Sequence, residues 1–190
     1  MASSRTAIDL NTDEKEQLVD SHNTWRINAG ATAMMKLTWN DKLARFAASV
    51  SSRCIFNHST SQQRRNVPGY AGYVGENIYM GVNRPSMKHA VTVWAAAVQD
   101  YESQGKFSHY TQVVWAKTSE IGCAMVKCNK IINAKGLLSL DGRAGYLLCC
   151  NYGPGGNLKG LKPYEKGIPG SKCEEVFNLP KDADGLCVKE

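Results

Sequence analysis

The amino-acid sequence predicts a single α+β domain, and three observations carry that reading. Apolar residues recur at three-to-four spacing in three separate stretches, the pattern of amphipathic helices. Short runs rich in β-branched residues and bounded by turn residues, Gln112 to Trp115 and Ile121 to Val126, read instead as strands. The 190 residues, 43% of them hydrophobic, suit one core without help from a metal or a second subunit.

Taken in order, residues 1 to 11 read as a flexible lead-in. Met1-Ala2-Ser3-Ser4 reads as the start of a mature chain rather than a targeting signal, because no apolar signal core follows it. No apolar run approaches the length of a membrane span. Thr12 or Asp13 can cap a first helix carrying Leu18, Val19, His22 and Trp25, with Asp13, Glu14 and Glu16 near its positive end and Gly30 closing it. His22 reads as structural, since nothing near it in sequence makes it a ligand. A second helix follows Asn40, with Leu43, Phe46, Ala47, Val50 and Cys54 on one side; a further turn would put His58 on the face of Cys54. Ser59 to Gly75 lacks helical periodicity and reads as a loop bearing Tyr70 and Tyr73.

Pro85 suits the first turn of a third helix, whose stripe is Met87, Val91, Trp94, Val98 and Tyr101; His89 reads as exposed. The two central strands come next, turning through Lys117-Thr118-Ser119-Glu120. Asn129 to Gly145 is a long connection with room for an edge strand, and Ala144 to Cys150 returns to the sheet. Tyr152-Gly153-Pro154-Gly155-Gly156-Asn157 cannot continue a regular strand, and its expected role is to shape the floor of a site.

The formal charge of +6 is dispersed, with Arg64-Arg65 the nearest approach to a cluster. It leaves room for contact with anionic lipid or glycan and gives no nucleic-acid motif. Seven cysteines without paired C-x-x-C ligand sets point to a secreted, disulfide-bonded protein.

Two long stretches carry a family resemblance: Ser108-His109-Tyr110-Thr111-Gln112-Val113-Val114-Trp115, running on to Cys123 and Cys128, and Leu148-Cys149-Cys150-Asn151-Tyr152-Gly153-Pro154-Gly155-Gly156-Asn157-Leu158. In this order they resemble the paired signatures of the CAP superfamily. Its members include cysteine-rich secretory proteins, antigen 5, class 1 pathogenesis-related proteins, and the venom-allergen-like and activation-associated secreted proteins of parasitic worms. The resemblance implies a three-layer α-β-α sandwich, the CAP fold, over residues 12–166, with a short disulfide-closed tail over 167–190. It pairs Cys54 with Cys128, Cys123 with Cys150, and leaves Cys173 and Cys187 to close the tail. Cys149 is then the odd one, either an inert buried thiol or an intermolecular link; adjacent Cys149 and Cys150 would face opposite sides of a strand.

The same resemblance implies the site. Arg53-Cys54-Ile55-Phe56-Asn57-His58-Ser59 is similar to the segment bearing the first site histidine, Gly75-Glu76-Asn77-Ile78 to the segment whose glutamate faces the histidines, and His109 is the second histidine. Asn57-His58-Ser59 is also a glycosylation sequon, and a glycan there would obstruct the site. The usual tetrad has a second acid three positions after Trp94; here that position is Ala97, so catalysis is not expected. Binding of fatty acids and sterols is, with Leu18 and Trp25 facing Met87, Val91, Trp94 and Val98 across two helices, and Tyr70 and Tyr73 on a lipid-recognition loop. Zn2+ on His58 and His109, with weak hydrolysis using Glu76 as base, is the alternative, since two imidazoles fall short of the three protein ligands of catalytic zinc. A host protein receptor for a worm protein acting at the host interface is a third reading, with the chain a monomer or weak dimer.

Overall fold

The structure is a computed structural model that describes residues 5–133 and 144–189. Its centre is an antiparallel pair, β4 (Glu120–Cys128) and β5 (Gly145–Gly153). β3 (Gly75–Gly81) pairs antiparallel with β5, β1 (Arg5–Ile8) pairs antiparallel with β4, and the two-residue β2 (Thr38–Trp39) joins β4 in parallel. The strand order is β1-β4-β5-β3.

Alternation along the central strands sends side chains to two faces. Cys123, Met125, Leu148, Cys150 and Tyr152 pack in one core with residues of α1 (Thr12–Asn28), α4 (Met87–Ala95) and α6 (His109–Val113). Val126, Cys128, Leu147 and Cys149 pack in the other with α2 (Asp41–Ser51). The result is the three-layer α-β-α sandwich. Gly122 lets α2 lie directly on β4, since a Cβ there would collide with the backbone of Asn40 and Ala44.

The three disulfides are Cys54–Cys128, Cys123–Cys150 and Cys173–Cys187, and Cys149 is a buried free thiol. Cys123 and Cys150 stand opposite one another in the β4–β5 ladder, so Cys149 faces the other core. The tail bridge ties α7 (Cys173–Phe177) to the last residues, and both cysteines pack on Ala33 and Met35. A loop with a sequence separation of 14 contributes about 3 kcal/mol in the chain-entropy account.

Several elements differ from their sequence expectations. Arg5–Ile8, expected within a flexible lead-in, is an edge strand on β4. The cap of α1 is Asn11 rather than Thr12 or Asp13, because Asn11 and Glu14 form a reciprocal capping box. The buried face of α1 is Leu18, His22, Asn23 and Arg26, whereas Val19 and Trp25 are only partly buried. α2 ends at Ser51, and Cys54 takes a left-handed φ of 54°, so Cys54 and His58 do not share a helical face. The 59–75 segment holds a short helix, α3 (Ser61–Arg65), opened by a Thr60–Gln63 capping box. The third helix breaks after Ala95, and Val98 and Tyr101 belong to α5 (Val98–Gln104).

Gln112 to Trp115 is not a strand: His109–Val113 is helical. Ser108 donates its N–H to Thr111 Oγ1 at 2.8 Å, Val113 and Val114 are fully buried, and Arg26 takes the carbonyls at the helix end. These tertiary contacts override the β-propensity of the valines. In the long connection, Ile132 bridges Ile55, and the expected edge strand falls in a stretch that lies mostly outside the described residues.

Candidate functional site

The site begins with a two-residue step at the start of β3. Successive strand residues face opposite sides, so Glu76 and Asn77 work in different layers. Glu76 reaches the segment after α2, where its Oε1 accepts from His58 Nδ1 at 2.9 Å and from the Ser59 N–H at 2.9 Å. Its Oε2 accepts from Ser59 Oγ at 2.7 Å and from Asn151 Nδ2 at 3.3 Å. Arg64 stands 3.9 Å from Oε1 and donates to the Ser59 carbonyl. The Glu76 side chain is 1% exposed, while that of His58 is 50% exposed. Burial pushes the Glu76 carboxyl up, but the hydrogen bonds from His58 and Ser59 outweigh it and hold the pKa below the ordinary carboxylate value.

His109 starts α6 on the other side of the opening. Its ring centroid lies 6.4 Å from that of His58, with the planes tilted by 39°. The ring meets solvent at the opening, yet burial of its remainder, and secondarily the neighbouring His58, lower its pKa. Both expected histidines and the expected glutamate therefore meet in one place.

Side chains that sequence reasoning did not assign hold this arrangement. Asn77 Nδ2 donates to the His109 carbonyl and to the Tyr152 hydroxyl, both at 3.1 Å. Asn157 holds the start of α6 through Ser108 and Thr111. Arg26, fully buried, makes six hydrogen bonds to the carbonyls of Met35, Val113, Trp115, Ala116 and Thr118. Burial lowers its pKa to about 9, still above neutrality, so the cation persists. Asn77 and Asn151 stood inside the quoted motifs, and strict alternation along a strand is the signal that assigns each a face. The glycine run lets the chain pack closely: a Cβ on Gly156 would sit 2.5 Å from the Trp115 ring.

The residues expected to meet lipid fall in two places. Leu18, Met87, Val91 and Trp94 are all at most 1% exposed in the α1–α4 core, with Trp25 and Val98 partly buried beside them. Tyr70 and Tyr73 belong to the other side of the sheet. Tyr70 donates to Glu120 at 2.7 Å, and the Arg64 and Arg65 guanidinium groups each lie 5.5 Å from the Tyr73 ring centroid. Ala97 caps α5 without a side-chain hydrogen bond.

Among the described residues, no three His, Cys, Asp or Glu side chains converge to hold a metal ion. The two imidazoles alone offer two nitrogens, His58 using Nε2 because Nδ1 is engaged by Glu76. With zinc–nitrogen bonds of about 2.1 Å, two tetrahedral imidazole ligands have ring centroids roughly 5.2 Å apart. The observed 6.4 Å would have to close by about 1 Å. As they stand, the two rings are too far apart to share a tetrahedral ion, and Glu76 orients His58 from behind.

Residues 19–152 match the CAP, cysteine-rich secretory protein family, and the chain belongs to it. Peptidase inhibitor 16 of Mus musculus is 35% identical over 167 residues, covering 86% of this chain and 32% of that protein. The chain spans about a third of the length of the peptidase inhibitor 16 relatives. Scoloptoxin SSD976 of Scolopendra dehaani is 33% identical, covering 94% of this chain and 85% of that one. The crystal structure of NaASP2 with Zn2+ superposes with a TM-score of 0.66 at 24% identity, covering 94% of this chain and 96% of that one. The structure of BmVAL-1 shares its fold, with a TM-score of 0.72 at 23% identity, covering 95% of this chain and 96% of that one. No helix among the described residues is long and apolar enough to cross a membrane.

Proposed function

We propose that this protein is a secreted, non-enzymatic lipid-binding protein that sequesters a fatty acid or sterol, made by a parasitic worm and acting at the host interface. The observation that carries the lipid reading is the α1–α4 seam. Arg84 on the approach to α4 pairs with Glu14 at the start of α1, and further along, the His22 ring lies 6.1 Å from that of Trp94, so the two helices run in the same direction. Apolar Leu18, Met87, Val91 and Trp94 lie between them, and α4 stops at the small residues Ala95, Ala96 and Ala97. An acyl chain entering there would gain about 0.8 kcal/mol per buried methylene, roughly 11 kcal/mol for palmitate, against the cost of parting the helices.

The non-enzymatic reading rests on Glu76. Both its oxygens are occupied by donors and its pKa is held low, which leaves no lone pair placed to take a substrate proton. By the family resemblance, the position of the tetrad's second acid is held by Ala97. A second reading, reversible zinc binding at His58 and His109, is favoured by one contact: Glu76 fixes His58 with its Nε2 free.

Native mass spectrometry of delipidated protein mixed with palmitate, cholesterol and zinc tests both readings. Lipid adducts that persist in His58→Ala/His109→Ala are expected for a carrier whose imidazole pair is a separate site. Absence of any lipid adduct, with zinc retained by the wild type alone, would replace the first reading with the second.

A further inference from the structure

The chain beyond residue 152, outside the stretch that matches the family, closes a cavity of about 240 Å³. Its walls come from four segments: 32–33 after α1, 115–117 after α6, 161–165, and the end of α7. Backbone hydrogen bonds tie these segments into one frame. The Ala116 N–H donates to the Pro163 carbonyl at 2.7 Å, the Thr32 N–H to the Glu165 carbonyl at 2.8 Å, and the Lys172 N–H, just before α7, to the Thr32 carbonyl at 2.8 Å. The Cys173–Cys187 bridge, packed with Phe177 on Ala33, holds α7 against that frame. The Trp115 ring is steadied by Phe107, edge-on at a centroid distance of 5.9 Å. The cavity is therefore preformed, so a ligand entering it meets little cost of ordering its walls.

Trp115, Pro163, Tyr164 and Phe177 give the cavity an apolar lining, and three of these four are aromatic. Leu161 and Val176, from two different segments, also line it while remaining 49% and 48% exposed, so apolar area is still open to a ligand. The charged lining residues are Lys117, Lys162 and Glu165. Lys162 pairs with Glu165 at 3.5 Å, which leaves the exposed Lys117 ammonium without a carboxylate partner among the described residues. The volume falls below the roughly 300–1,000 Å³ of sites for drug-sized molecules, which sets the ligand at a ring and a short chain. We infer that this cavity is a binding site for a small amphipathic anion, an aromatic ring on a short chain ending in a carboxylate. The ring lies against Trp115 and Phe177, where aromatic contacts add to area burial, and the carboxylate meets Lys117. The tail disulfide thereby acquires a role beyond stability, since it positions the wall that α7 supplies. None of these residues belongs to the α1–α4 seam or to the His58–His109 pair, so the inference stands apart from the lipid and zinc readings.

The test is titration of the full-length, oxidised protein with phenylbutyrate, phenylbutanol and phenylbutylamine, followed by nitrogen–proton correlation spectra. Phenylbutyrate should shift the amides of Ala116, Lys117, Leu161 and Phe177 and bind about threefold to fivefold more tightly than the alcohol, with the amine weakest. Lys117→Glu changes an exposed side chain; it should abolish the preference for the acid and leave the alcohol's affinity unchanged. Val176→Asp should weaken all three probes by at least about tenfold, because it places a charge in the apolar wall. Dispersed signals away from the cavity report that each variant is folded, and Leu161→Asp, from another wall, takes the place of Val176→Asp should α7 come loose. No saturable shift up to about 10 mM, or shifts confined to the α1–α4 seam or the histidine pair, would overturn the site. Equal affinity for the three probes, or a preference for the acid that survives Lys117→Glu, would overturn the assignment of an anion to Lys117.

Discussion

Arg26→Met is the substitution whose cost can be worked most directly from contacts. Methionine replaces the aliphatic stem with little change of volume and removes every donor. Five carbonyls receive hydrogen bonds from the guanidinium, and two of them keep another donor: Trp115 accepts from the Thr118 N–H at 3.0 Å and Ala116 from the Met35 N–H at 3.0 Å. Met35, Val113 and Thr118 have no second donor among the described residues, and their bonds to Arg26 are 2.6 to 2.9 Å long. Leaving three buried carbonyls unpaired costs about 1–3 kcal/mol each. Removing a fully buried cation recovers several kcal/mol of desolvation, which offsets part of that loss. The net expectation is a destabilisation of about 4 kcal/mol, and for a domain of this size a fall in Tm of roughly 8–16 °C. Urea unfolding of the oxidised protein at neutral pH, with m compared between variants, measures it. A loss below about 1 kcal/mol at unchanged m would show that water or the backbone re-satisfies those carbonyls, and the account of α6 as a helix held from α1 would fail.

Other outcomes follow from the same contacts. Burial lowers the His22 pKa from 6.5 to about 4, with the Leu18 carbonyl opposing and Arg26 reinforcing. The unfolded chain therefore binds a proton that the folded one refuses: the contribution is complete above pH 6.5 and is lost as the pH falls to 4, about 3 kcal/mol in all. His22→Phe should flatten denaturation midpoints across that window, and an unchanged slope would assign the acid loss elsewhere. Gly156→Ala should cost about 1–3 kcal/mol by driving a methyl into the Trp115 ring, read as a Tm shift with altered Trp fluorescence. Cys149, fully buried with its thiol pKa pushed up first by burial and then by Glu76, should resist maleimide in the folded protein and react at one equivalent in denaturant. Rapid labelling of the native protein, or a disulfide-linked dimer, would contradict its placement.

What the sequence made legible depended on whether the relevant partner was near or was of the expected chemical type. His58, Glu76 and His109 could be nominated because each stands in a motif, and the strand alternation around Glu76 already separates the two layers. The helices at 12–28 and 41–51 were legible as periodic stretches, but the phase of α1 was not. Its inward face carries His22, Asn23 and Arg26, which look like surface residues until their partners are known, and His22 meets Tyr152 at a sequence separation of 130. The edge strand β1 has the same difficulty in another form, since its residues are mostly exposed and its only definition is the ladder to Met125–Cys128. At 109–113 the valines pointed to a strand, yet they are buried in a helix whose terminal carbonyls are taken by Arg26. The misreadings of α1 and of 109–113 share one cause. A buried polar group is stable only where distant acceptors or donors satisfy it, so the residues that most strongly determine the local conformation around the site are those whose role local pattern cannot reveal.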